Sequence, residues 1–390
     1  MNTVKLGDVC GIVNGGTPKT GTKEYWDGGI LWITPKDLGK ISQRTTETTI
    51  RTISEKGLNH SSARLVPDNS VILSTRAPIG YLVINTKPMS FNQGCKGLVP
   101  GKDINVEFLY HYLTYSKEAL NDLGTGTTFP ELSKSALSQF TVPLPSLDKQ
   151  KMTVERLDAA FEKIDAAIEL TKKNVANSST FFKRELNNKF NQPKNITRNI
   201  LELCELKSGN TIDKSLERKQ GDVLYVKVGD MNFPGNEKYI YGSSRYAKSS
   251  EIKTSQIIPQ GAVIFPKRGG AIATNKKRII VKPTIVDLNT MALVPKNTFN
   301  AKLLYFWFLQ YDLSTISSGT SIPQINNYSF NDTNIAISDN LMDQARLASY
   351  LQELHEKTKD LENIYRLKLQ NLNLLKKSML EQAFAMDGVE

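Results

Sequence analysis

Few polar residues of this sequence stand at the spacing that metal binding or thiol chemistry requires. The three histidines are His60, His111 and His355, and they are too far apart in the chain to form a metal-ligand pattern. The three cysteines are Cys10, Cys95 and Cys204, and they include no CxxC pair. We therefore expect no metal centre and no disulfide framework, with the thiols acting as small buried hydrophobic groups.

Sequence motifs for catalysis are also missing. The chain has no adjacent Pro-Pro, so the Asn/Asp-Pro-Pro-Tyr/Phe loop of amino-methyltransferases is absent. Neither GxGxxG nor GxxxxGK[ST] occurs, which leaves no nucleotide cradle. The single Pro-Asp dipeptide, at Pro67, has no Glu-x-Lys triplet at nuclease spacing behind it. These absences predict a chain that binds and positions other molecules rather than one that catalyses.

Two arginines recur in matching contexts and could hold an anion. Arg76 and Arg268 each follow a Val-Ile-Leu/Phe run, and a Gly-containing loop comes after each of them. An arginine repeated at such a place can bind a phosphate or the edge of a guanine. The alternative is an arginine that only covers surface.

The context is shared because most of the chain is duplicated. Four blocks recur in the same order at an offset of 192 to 195 residues. The blocks are 30–38 with 223–231, 66–76 with 258–268, 98–110 with 293–305, and 126–132 with 319–325. Because this period is much longer than a solenoid repeat, it indicates a duplicated domain. Two similar domains in tandem are typical of a protein that binds a target in two parts.

Each copy is predicted to be a β-rich domain followed by a long helix. Short apolar runs separated by Gly, Pro and Asn fill the region from Val4 to Pro145. Ser146 can then cap a helix that carries Asp148 in its first turn. Its apolar seam, spaced by three and four, is Leu147, Gln150, Val154, Leu157, Phe161, Ile164, Ile168, Thr171, Val175, Ser178 and Phe182.

The second copy ends in the same way. Ser338 and Asp339 can cap its helix, and Asp343 lies in the first turn. The seam is Leu347, Leu351, Leu354, Thr358, Leu361, Tyr365, Lys368, Leu372, Leu375, Met379 and Gln382. Two long heptad seams predict that the helices pair with each other. The alternative is that each is an amphipathic helix facing its own core.

These observations predict an α+β fold with four segments. The segments are a first β-rich domain at 1–145, a long helix at 146–190, a linker with a second β-rich domain at 191–338, and a second long helix at 339–390. The expected architecture is a pseudo-twofold duplication in which the two helices form an antiparallel coiled coil.

Composition and charge favour a binding protein. The net charge is +11, and residues 196–338 contribute +7 of it through 18 basic and 11 acidic residues. A basic surface attracts polyanions, of which DNA is the most common. The longest apolar run, Leu303–Leu309, is too short for a membrane span, and the N-terminus has no signal-peptide pattern. We therefore expect a cytoplasmic protein without a membrane partner.

The sequence resembles the specificity subunit of type I restriction–modification enzymes over its whole length. The resemblance rests on the duplication together with local signatures. These are VKLGD at 4–8, LSTRAPIG at 73–80, GTTFPELS at 126–133, VPLP at 142–145 and LLKKSMLEQAF at 374–384.

The resemblance implies two target recognition domains, each of which reads one half of a split, asymmetric sequence in double-stranded DNA. It also implies that the helices dock two modification (methyltransferase) subunits and that a restriction (motor–nuclease) subunit can join. S-adenosylmethionine is then expected on the modification subunit, and no cofactor on this chain.

The candidate contact residues are the repeated arginines with the adjacent Lys267, and polar residues at places where the copies diverge. Arg and Lys suit guanine, and Asn and Gln suit adenine, although loops are polar in any case. The DNA-binding candidates of the first copy are Lys19, Lys23, Lys36, Arg44, Arg76, Asn92 and Gln93. Those of the second are Asn232, Arg245, Lys267, Arg268, Asn275, Lys276, Lys277 and Arg278. The candidates for helix pairing and subunit docking are Leu157, Phe161, Ile164, Ile168, Leu351, Leu354, Leu361 and Leu372.

Two other functions are compatible with parts of the pattern. A basic tandem adaptor would bind proteins through its helices and show no salt-dependent, sequence-specific binding to DNA. A fused restriction–methylation enzyme would carry reader and catalyst in one chain, but the chain length and the missing methyltransferase motifs argue against it.

Overall fold

The chain divides into two units, and both boundaries fall inside long helices. The computed structural model describes residues 2–76, 78–126, 130–319 and 321–384. Unit 1 consists of residues 1–171 and 367–390, and unit 2 of residues 172–366. Parts of the fourth repeat block (127–129 and 320), residue 77 of one signature, and the expected helix end at 385–390 lie outside the described residues.

Unit 1 consists of mixed sheets and short helices together with segments of the two long helices. Its strands are β1 (Thr3–Lys5), β2 (Cys10–Asn14), β3 (Trp26–Ile33), β4 (Thr45–Thr46), β5 (Arg51–Ile53), β6 (Leu65–Val66), β7 (Ser70–Thr75), β8 (Ile79–Asn85), β9 (Met89–Phe91), β10 (Cys95–Pro100) and β11 (Thr141–Pro143). Its helices are α1 (Leu6–Val9), α2 (Pro35–Leu38), α3 (Glu55–Asn59), α4 (Val106–Tyr115), α5 (Lys117–Asp122), α6 (Lys134–Gln139) and the first part of α7 (Leu147–Phe190).

Unit 2 repeats this plan, with several short 3-10 turns in its loops. Its strands are β12 (Ile196–Asn199), β13 (Cys204–Ser208), β14 (Val223–Val226), β15 (Tyr239–Ile240), β16 (Tyr246–Ala247), β17 (Val263–Pro266), β18 (Arg278–Ile280), β19 (Thr284–Val286), β20 (Thr290–Pro295) and β21 (Asn334–Ile337). Its helices are α8 (Ile200–Leu203), α9 (Ala301–Gln310) and the first part of α10 (Leu341–Phe384), which ends in unit 1.

The sheet topology confirms the duplication. The five-stranded sheet of unit 1 has the order β2-β10-β7-β8-β4, and that of unit 2 has the corresponding order β13-β20-β17-β18-β15. In both sheets the last strand is parallel to its neighbour while the other pairings are antiparallel. A second sheet follows in each unit, β5-β3-β9-β6 in the first and β16-β14-β19 in the second.

The apolar run before each repeated arginine is a strand buried on both faces. In unit 1, Val71 and Leu73 of β7 face a cluster that includes Phe108 of α4, whereas Ile72 faces a cluster that includes Phe91 of the second sheet. Alternate residues of a strand point to opposite faces, so a continuous apolar run is what two cores require. Strand β17 of unit 2 is divided between its two clusters in the same way.

A glycine is required at the same place in both units. A Cβ atom on Gly15 would lie 2.1 Å from the carbonyl oxygen of Asn92, and one on Gly209 would lie 2.0 Å from that of Asp287. No side chain fits at such a distance, so the chain that leaves β2 or β13 can pass the neighbouring turn only at a glycine.

Within each unit the segments of α7 and α10 run antiparallel. In unit 1 the ammonium of Lys376 is 2.6 Å from the Asp165 carboxylate and 4.9 Å from the centre of the Phe161 ring. Earlier on α7, Asp158 lines the same cavity as Leu380. In unit 2, Lys189 contacts Tyr350, and Phe182 contacts His355. In both units, therefore, later residues of α7 meet earlier residues of α10.

Burial confirms most of the seam predicted for α7. Leu157, Ile164 and Ile168 are 3%, 6% and 8% exposed, and Phe161 is partly buried. At the start of the helix, the amide of Gln150 donates to the carbonyl oxygen of Ser146, which agrees with a helix that begins after Ser146. None of the helices in the described residues is long and apolar enough to cross a membrane.

The seam predicted for α10 is wrong in part. Leu351 is fully buried and Leu354 and Leu372 are partly buried, but Leu361 and Leu375 are 44% and 48% exposed. The helix carries more leucines than one seam can hold, so residue type alone placed part of the seam wrongly.

The N-cap of α10 is Asn340 rather than Ser338 or Asp339. Its side chain accepts the backbone amide of Met342 at 2.8 Å. Asp339 instead pairs with Arg198, and Ser338 accepts the backbone amide of Asn340.

In each unit a histidine ring packs on a phenylalanine ring between the domain and its long helix. The histidine belongs to the domain in unit 1 and to the long helix in unit 2. In unit 1, His111 of α4 packs on Phe161 of α7, with ring centres 5.7 Å apart. In unit 2, Phe306 of α9 packs on His355 of α10, with ring centres 6.1 Å apart. Burial, assisted by the charges of nearby lysines, lowers the pKa of His355 to about 4. The imidazole is therefore neutral in the folded protein at neutral pH.

We expect Ile164→Glu to destabilise the chain by about 3–5 kcal/mol, because it leaves a buried carboxylate without a partner. Leu361→Glu should change the free energy of unfolding by no more than about 0.5 kcal/mol, because the side chain already faces solvent. Chemical denaturation of both variants checks this. Equal losses would mean that Leu361 belongs to the seam after all.

We expect His355→Phe to reduce the loss of stability on acidification. The folded pKa lies below the ordinary value of 6.5, so the unfolded chain takes up a proton first as the pH falls. The stabilisation present above pH 6.5 is then lost towards pH 4, on the order of 1–2 kcal/mol by pH 5. Denaturation at pH 7.5 and pH 5 measures the difference. An equal loss of stability on acidification in the wild type and in His355→Phe would contradict this expectation.

Candidate nucleic-acid interface

The two repeated arginines occupy the same backbone position in their units. Arg76 follows β7 and forms an isolated antiparallel bridge with Glu131, and Arg268 follows β17 and forms the same bridge with Gln324. The carbonyl oxygens just before the arginines, on Thr75 and Lys267, accept the amides of Leu132 and Ile325 at 3.0 and 2.8 Å. Each arginine is thus held at a junction of two loops beside its five-stranded sheet.

The side chains at this junction differ between the units. The Arg76 guanidinium forms an ion pair with the Glu131 carboxylate at 2.6 Å, and both side chains remain more than a third exposed. In unit 2 the position of Glu131 is taken by Gln324, whose amide donates to Asn326. Arg268 is exposed and has no ion pair with any residue that the structure describes. Arg268 therefore presents an unneutralised charge where Arg76 presents a paired one.

A second group of candidates in unit 1 lies beside Arg76. The side-chain amide of Asn92 donates to Thr17 at 3.2 Å and to Gln93 at 3.1 Å. Gly94 separates Asn92 from Arg76: a Cβ atom there would lie 2.9 Å from the Asn92 side-chain oxygen and 3.7 Å from the Arg76 Cβ atom. Asn92, Gln93 and Arg76 thus form one patch.

The lysines predicted in unit 1 remain on the surface. Lys19, Lys23 and Lys36 are exposed, and in the described ranges none of them forms an ion pair. Lys36 adjoins Pro35, whose ring would lie 3.0 Å from a Cβ atom on Gly94, so this lysine is near the patch. The carbonyl oxygen of Lys19 accepts the indole N–H of Trp26 at 3.3 Å.

In unit 2 an acid replaces Asn92. The amide of Asn92 donates to Ile33, and the amide of Asp287 donates to Val226 in the same way. The carboxylate of Asp287 is buried and accepts the hydroxyl of Thr290 at 2.7 Å. The two units therefore share the backbone at this position and differ in its polar chemistry.

Two residues of the basic run at 276–278 point into unit 2 rather than out of it. Lys277 is 2% exposed, and its ammonium donates at 2.6 Å both to the Asn275 side chain and to the Tyr311 carbonyl. Burial lowers the pKa of Lys277 to about 7. The Arg278 guanidinium donates to the Met231 carbonyl at 3.1 Å. Lys277 and Arg278 therefore support a loop, which the basic triplet alone did not indicate.

The remaining candidates are bound in local networks. Lys276 contacts the side chain of Asn232. Arg245 lies 3.3 Å from Glu217 and 3.8 Å from Asp230. Lys267 is partly buried, and burial together with the charge of Arg268 lowers its pKa.

Arg44 lies apart from the patch around Arg76. Its guanidinium is 2.5 Å from Asp158 of α7 and 3.4 Å from Glu107 of α4. It therefore connects the domain to the long helix.

Sequence reasoning did not identify Arg51, which lies opposite Trp32 in the sheet and 4.6 Å from the centre of its ring. That contact depends on strand pairing, so no local signal could reveal it.

The three cysteines, His111 and His355 take part in packing. All three cysteines are buried, as predicted, and burial raises the pKa of Cys10 and of Cys204 to about 12. His111 and His355 pack between domain and helix. Within the part of the chain that the structure covers, no group of three His, Cys, Asp or Glu residues could hold a metal ion.

Comparison with known proteins gives one consistent result. The sequence model described as type I restriction modification DNA specificity domain matches residues 1–177 and again residues 193–370. The MjaIX specificity subunit of a type I restriction enzyme from Methanocaldococcus jannaschii is 28% identical over 367 residues, covering 82% of this chain and 79% of that one. The EcoR124I/EcoR124II specificity subunit from Escherichia coli is 31% identical over 160 residues, 39% of each chain.

Solved structures confirm the expected fold. A chain solved in work on complex assembly and conformational transition of the type I R-M system matches with a TM-score of 0.78 at 15% identity, over 98% of this chain and 97% of that one. The HsdS subunit from Thermoanaerobacter tengcongensis matches with a TM-score of 0.61 at 16% identity, over 98% and 96%. At these identities the likeness concerns the fold.

Proposed function

The chain belongs to the type I restriction modification DNA specificity family, and from that premise we propose that it reads a bipartite, asymmetric target in double-stranded DNA. Each unit would bind one half of the target through the face that carries Arg76 or Arg268. Its relatives are named specificity subunits, so this chain is the specificity component and not the catalytic one.

The observation that carries the proposal is that the two units share a scaffold and differ in the polar residues around the repeated arginine. The strand order, the required glycine and the bridge at the arginine recur, whereas Glu131 and Asn92 of unit 1 are replaced by Gln324 and Asp287 in unit 2. Contacts to the DNA phosphates position a protein on the duplex, and contacts to the base edges give it specificity. Two domains that bind different half-sites need a common scaffold and different contact residues.

The candidate cations that stay exposed support DNA as the ligand. Lys277, Arg278, Arg245 and Arg44 are engaged inside their units. Among the candidates, the exposed cations that remain are Lys19, Lys23, Lys36 and Arg268, with Arg76 partly neutralised by Glu131. These are the residues that we propose contact the duplex.

The long helices are proposed as spacer and docking surface. Residues 1–145 and 191–338 would be the recognition domains, and 146–190 and 339–390 the helical segments. In unit 1, Leu367, Leu374 and Leu375 of α10 are 57%, 62% and 48% exposed, which is unusual for leucines on a paired helix. Such a stripe suits an apolar face of a methyltransferase subunit, with S-adenosylmethionine carried by that subunit. A restriction subunit would join the same complex.

Mapping methylated adenines in host DNA, with and without the gene, tests the proposal. We expect one split motif to lose methylation when the gene is deleted and to regain it when the gene is restored. The purified chain alone should neither transfer a methyl group nor cut DNA. An unchanged methylation map, together with no salt-dependent duplex binding by the purified chain, would instead favour a protein-binding adaptor.

We expect Arg268→Ala to weaken DNA binding more than Arg76→Ala, because Arg268 carries no neutralising partner. If Arg268 contacts a phosphate, its loss should make the slope of log K against log salt shallower by about 0.9. If it contacts a guanine in two places, affinity should fall by about 1–3 kcal/mol and the choice of that base should relax.

Binding titrations at several salt concentrations measure both effects. Glu131→Gln is the matched variant, because it gives unit 1 the side chain that unit 2 has at this position. It should strengthen binding and steepen the salt slope. An Arg268→Ala protein with wild-type affinity, base preference and salt slope would remove this residue from the interface.

A further inference from the structure

A fully buried glutamine attaches the first long helix to its domain. Gln150 of α7 is 0% exposed, and its side-chain oxygen accepts the backbone amide of Asn105 at 2.8 Å. Its side-chain nitrogen donates to the carbonyl oxygens of Asp103 and Pro145, both at 2.9 Å. Asn105 is the N-cap of α4 and accepts two amides of that helix. The glutamine thus connects the start of α7 to the start of the main helix of the domain.

Unit 2 contains the same attachment. Gln344 of α10 is 1% exposed, and its side-chain oxygen accepts the amide of Asn300 at 2.8 Å. Its nitrogen donates to Thr298 at 3.3 Å and Ser338 at 2.9 Å. Asn300 is the N-cap of α9. A buried side-chain amide that loses its backbone partners destabilises the fold, so these hydrogen bonds hold the helix at a defined place on the domain. The repetition of the glutamine shows that both units are joined to their long helices in the same way.

A second attachment lies eight residues further along each helix. In unit 1 the carboxylate of Asp158 accepts hydrogen bonds from Arg44 at 2.5 Å and from His111 at 2.9 Å. Arg44 directly precedes β4, the last strand of the five-stranded sheet. This contact therefore joins α7 to the edge of the sheet, at a point of the domain different from the Asn105 loop.

The corresponding contact in unit 2 uses other residue types. The ammonium of Lys238 donates to the side-chain oxygen of Gln352. Lys238 directly precedes β15, which is the counterpart of β4 in its sheet. It also lies 5.2 and 4.9 Å from the ring centres of Tyr305 and Phe306. A cation before the edge strand and an acceptor on the long helix are thus common to both units, although the acceptor is charged only in unit 1.

A single attachment would allow the domain to pivot on its helix, whereas two attachments fix the angle between the domain and the helix. Eight residues of α-helix correspond to about 12 Å, and the attached points of the domain are a helix N-cap loop and a sheet edge. A domain held at both points cannot pivot on its helix without breaking a buried or charge-assisted hydrogen bond. Each recognition domain is therefore held rigidly on its own helix segment.

We propose that these paired attachments are positioning devices that restrict the length of the gap tolerated between the two half-sites. The positioning residues are Gln150, Asp158 and Arg44 in unit 1, and Gln344, Gln352 and Lys238 in unit 2. None of them needs to touch a base. The inference rests on the proposed reading of a bipartite target, because only such a target has a gap.

The test compares the wild-type chain with Asp158→Ala, assembled with its methyltransferase subunit, on duplexes in which the gap between half-sites is varied. The half-site sequences come from the methylation map. Removing the acceptor should loosen one domain and raise methylation at gaps one base pair from the optimum by about tenfold relative to the optimal gap, the factor that a lost charge-assisted hydrogen bond represents. Preference for the half-site bases should not change.

Matched variants separate positioning from general damage. Asp158→Asn keeps a hydrogen-bond acceptor and should restore much of the narrow gap preference. Glu155→Ala removes an exposed acid from the same helix and should behave as wild type. In the free chain, spin labels on cysteines introduced at the exposed Lys40 and Lys163 of unit 1 report the joint directly. Their distance distribution should broaden in Asp158→Ala only.

The outcomes distinguish this inference from the proposed function. A folded Asp158→Ala complex with the wild-type gap profile and an unchanged label distance would overturn the positioning role while leaving bipartite reading intact. A wild-type complex that methylates all gaps equally would instead count against bipartite reading with a fixed spacer. Broader label distances in that case would still support the rigid joint.

Discussion

The structure of each unit depends on one strand that is buried on both faces. The Val-Ile-Leu run of β7 and the Val-Ile-Phe run of β17 place alternate side chains in two separate cores. One core needs a helix as its cover and the other needs a second sheet, because an apolar face left open would cost the burial that stabilises the strand. The repeated arginine comes within two residues of the end of this strand, at the point where the chain leaves both cores and reaches solvent.

The duplicated frame keeps its fold although the residue types at matching contacts differ between the two units. The histidine and the phenylalanine that pack between domain and long helix have exchanged places, His111 with Phe161 in unit 1 and Phe306 with His355 in unit 2. An aromatic pair can exchange members because the contact needs two flat rings of similar size. The same tolerance applies to the junction at the arginine, where a carboxylate in one unit is an amide in the other.

Net charge describes the two units poorly until each cation is assigned a partner. Residues 196–338 carry most of the excess positive charge, yet Lys277 is buried under a loop and Arg278 donates to a backbone carbonyl. A lysine can be buried when its ammonium donates to fixed oxygens and lies over the face of an aromatic ring, as the ammonium of Lys277 does 5.1 Å from the centre of the Phe308 ring. The charge available to a polyanion is therefore smaller and more local than the composition indicates.

The sequence alone determined the duplication, the long helices, the burial of the thiols and the position of the repeated arginines. These features depend on local residue patterns, which can be recognised in the sequence without knowledge of the tertiary contacts. Tertiary structure decided which residues of the predicted α10 seam are buried, since Thr358 and Leu361 both belong to it but only Thr358 is covered. It also decided that Arg44 pairs with Asp158, 114 residues away, because strand order brings the edge of the sheet to the helix. Partners this distant leave no mark in the spacing of residues, so only the folded chain could separate the cations that hold the domains in place from those that face solvent.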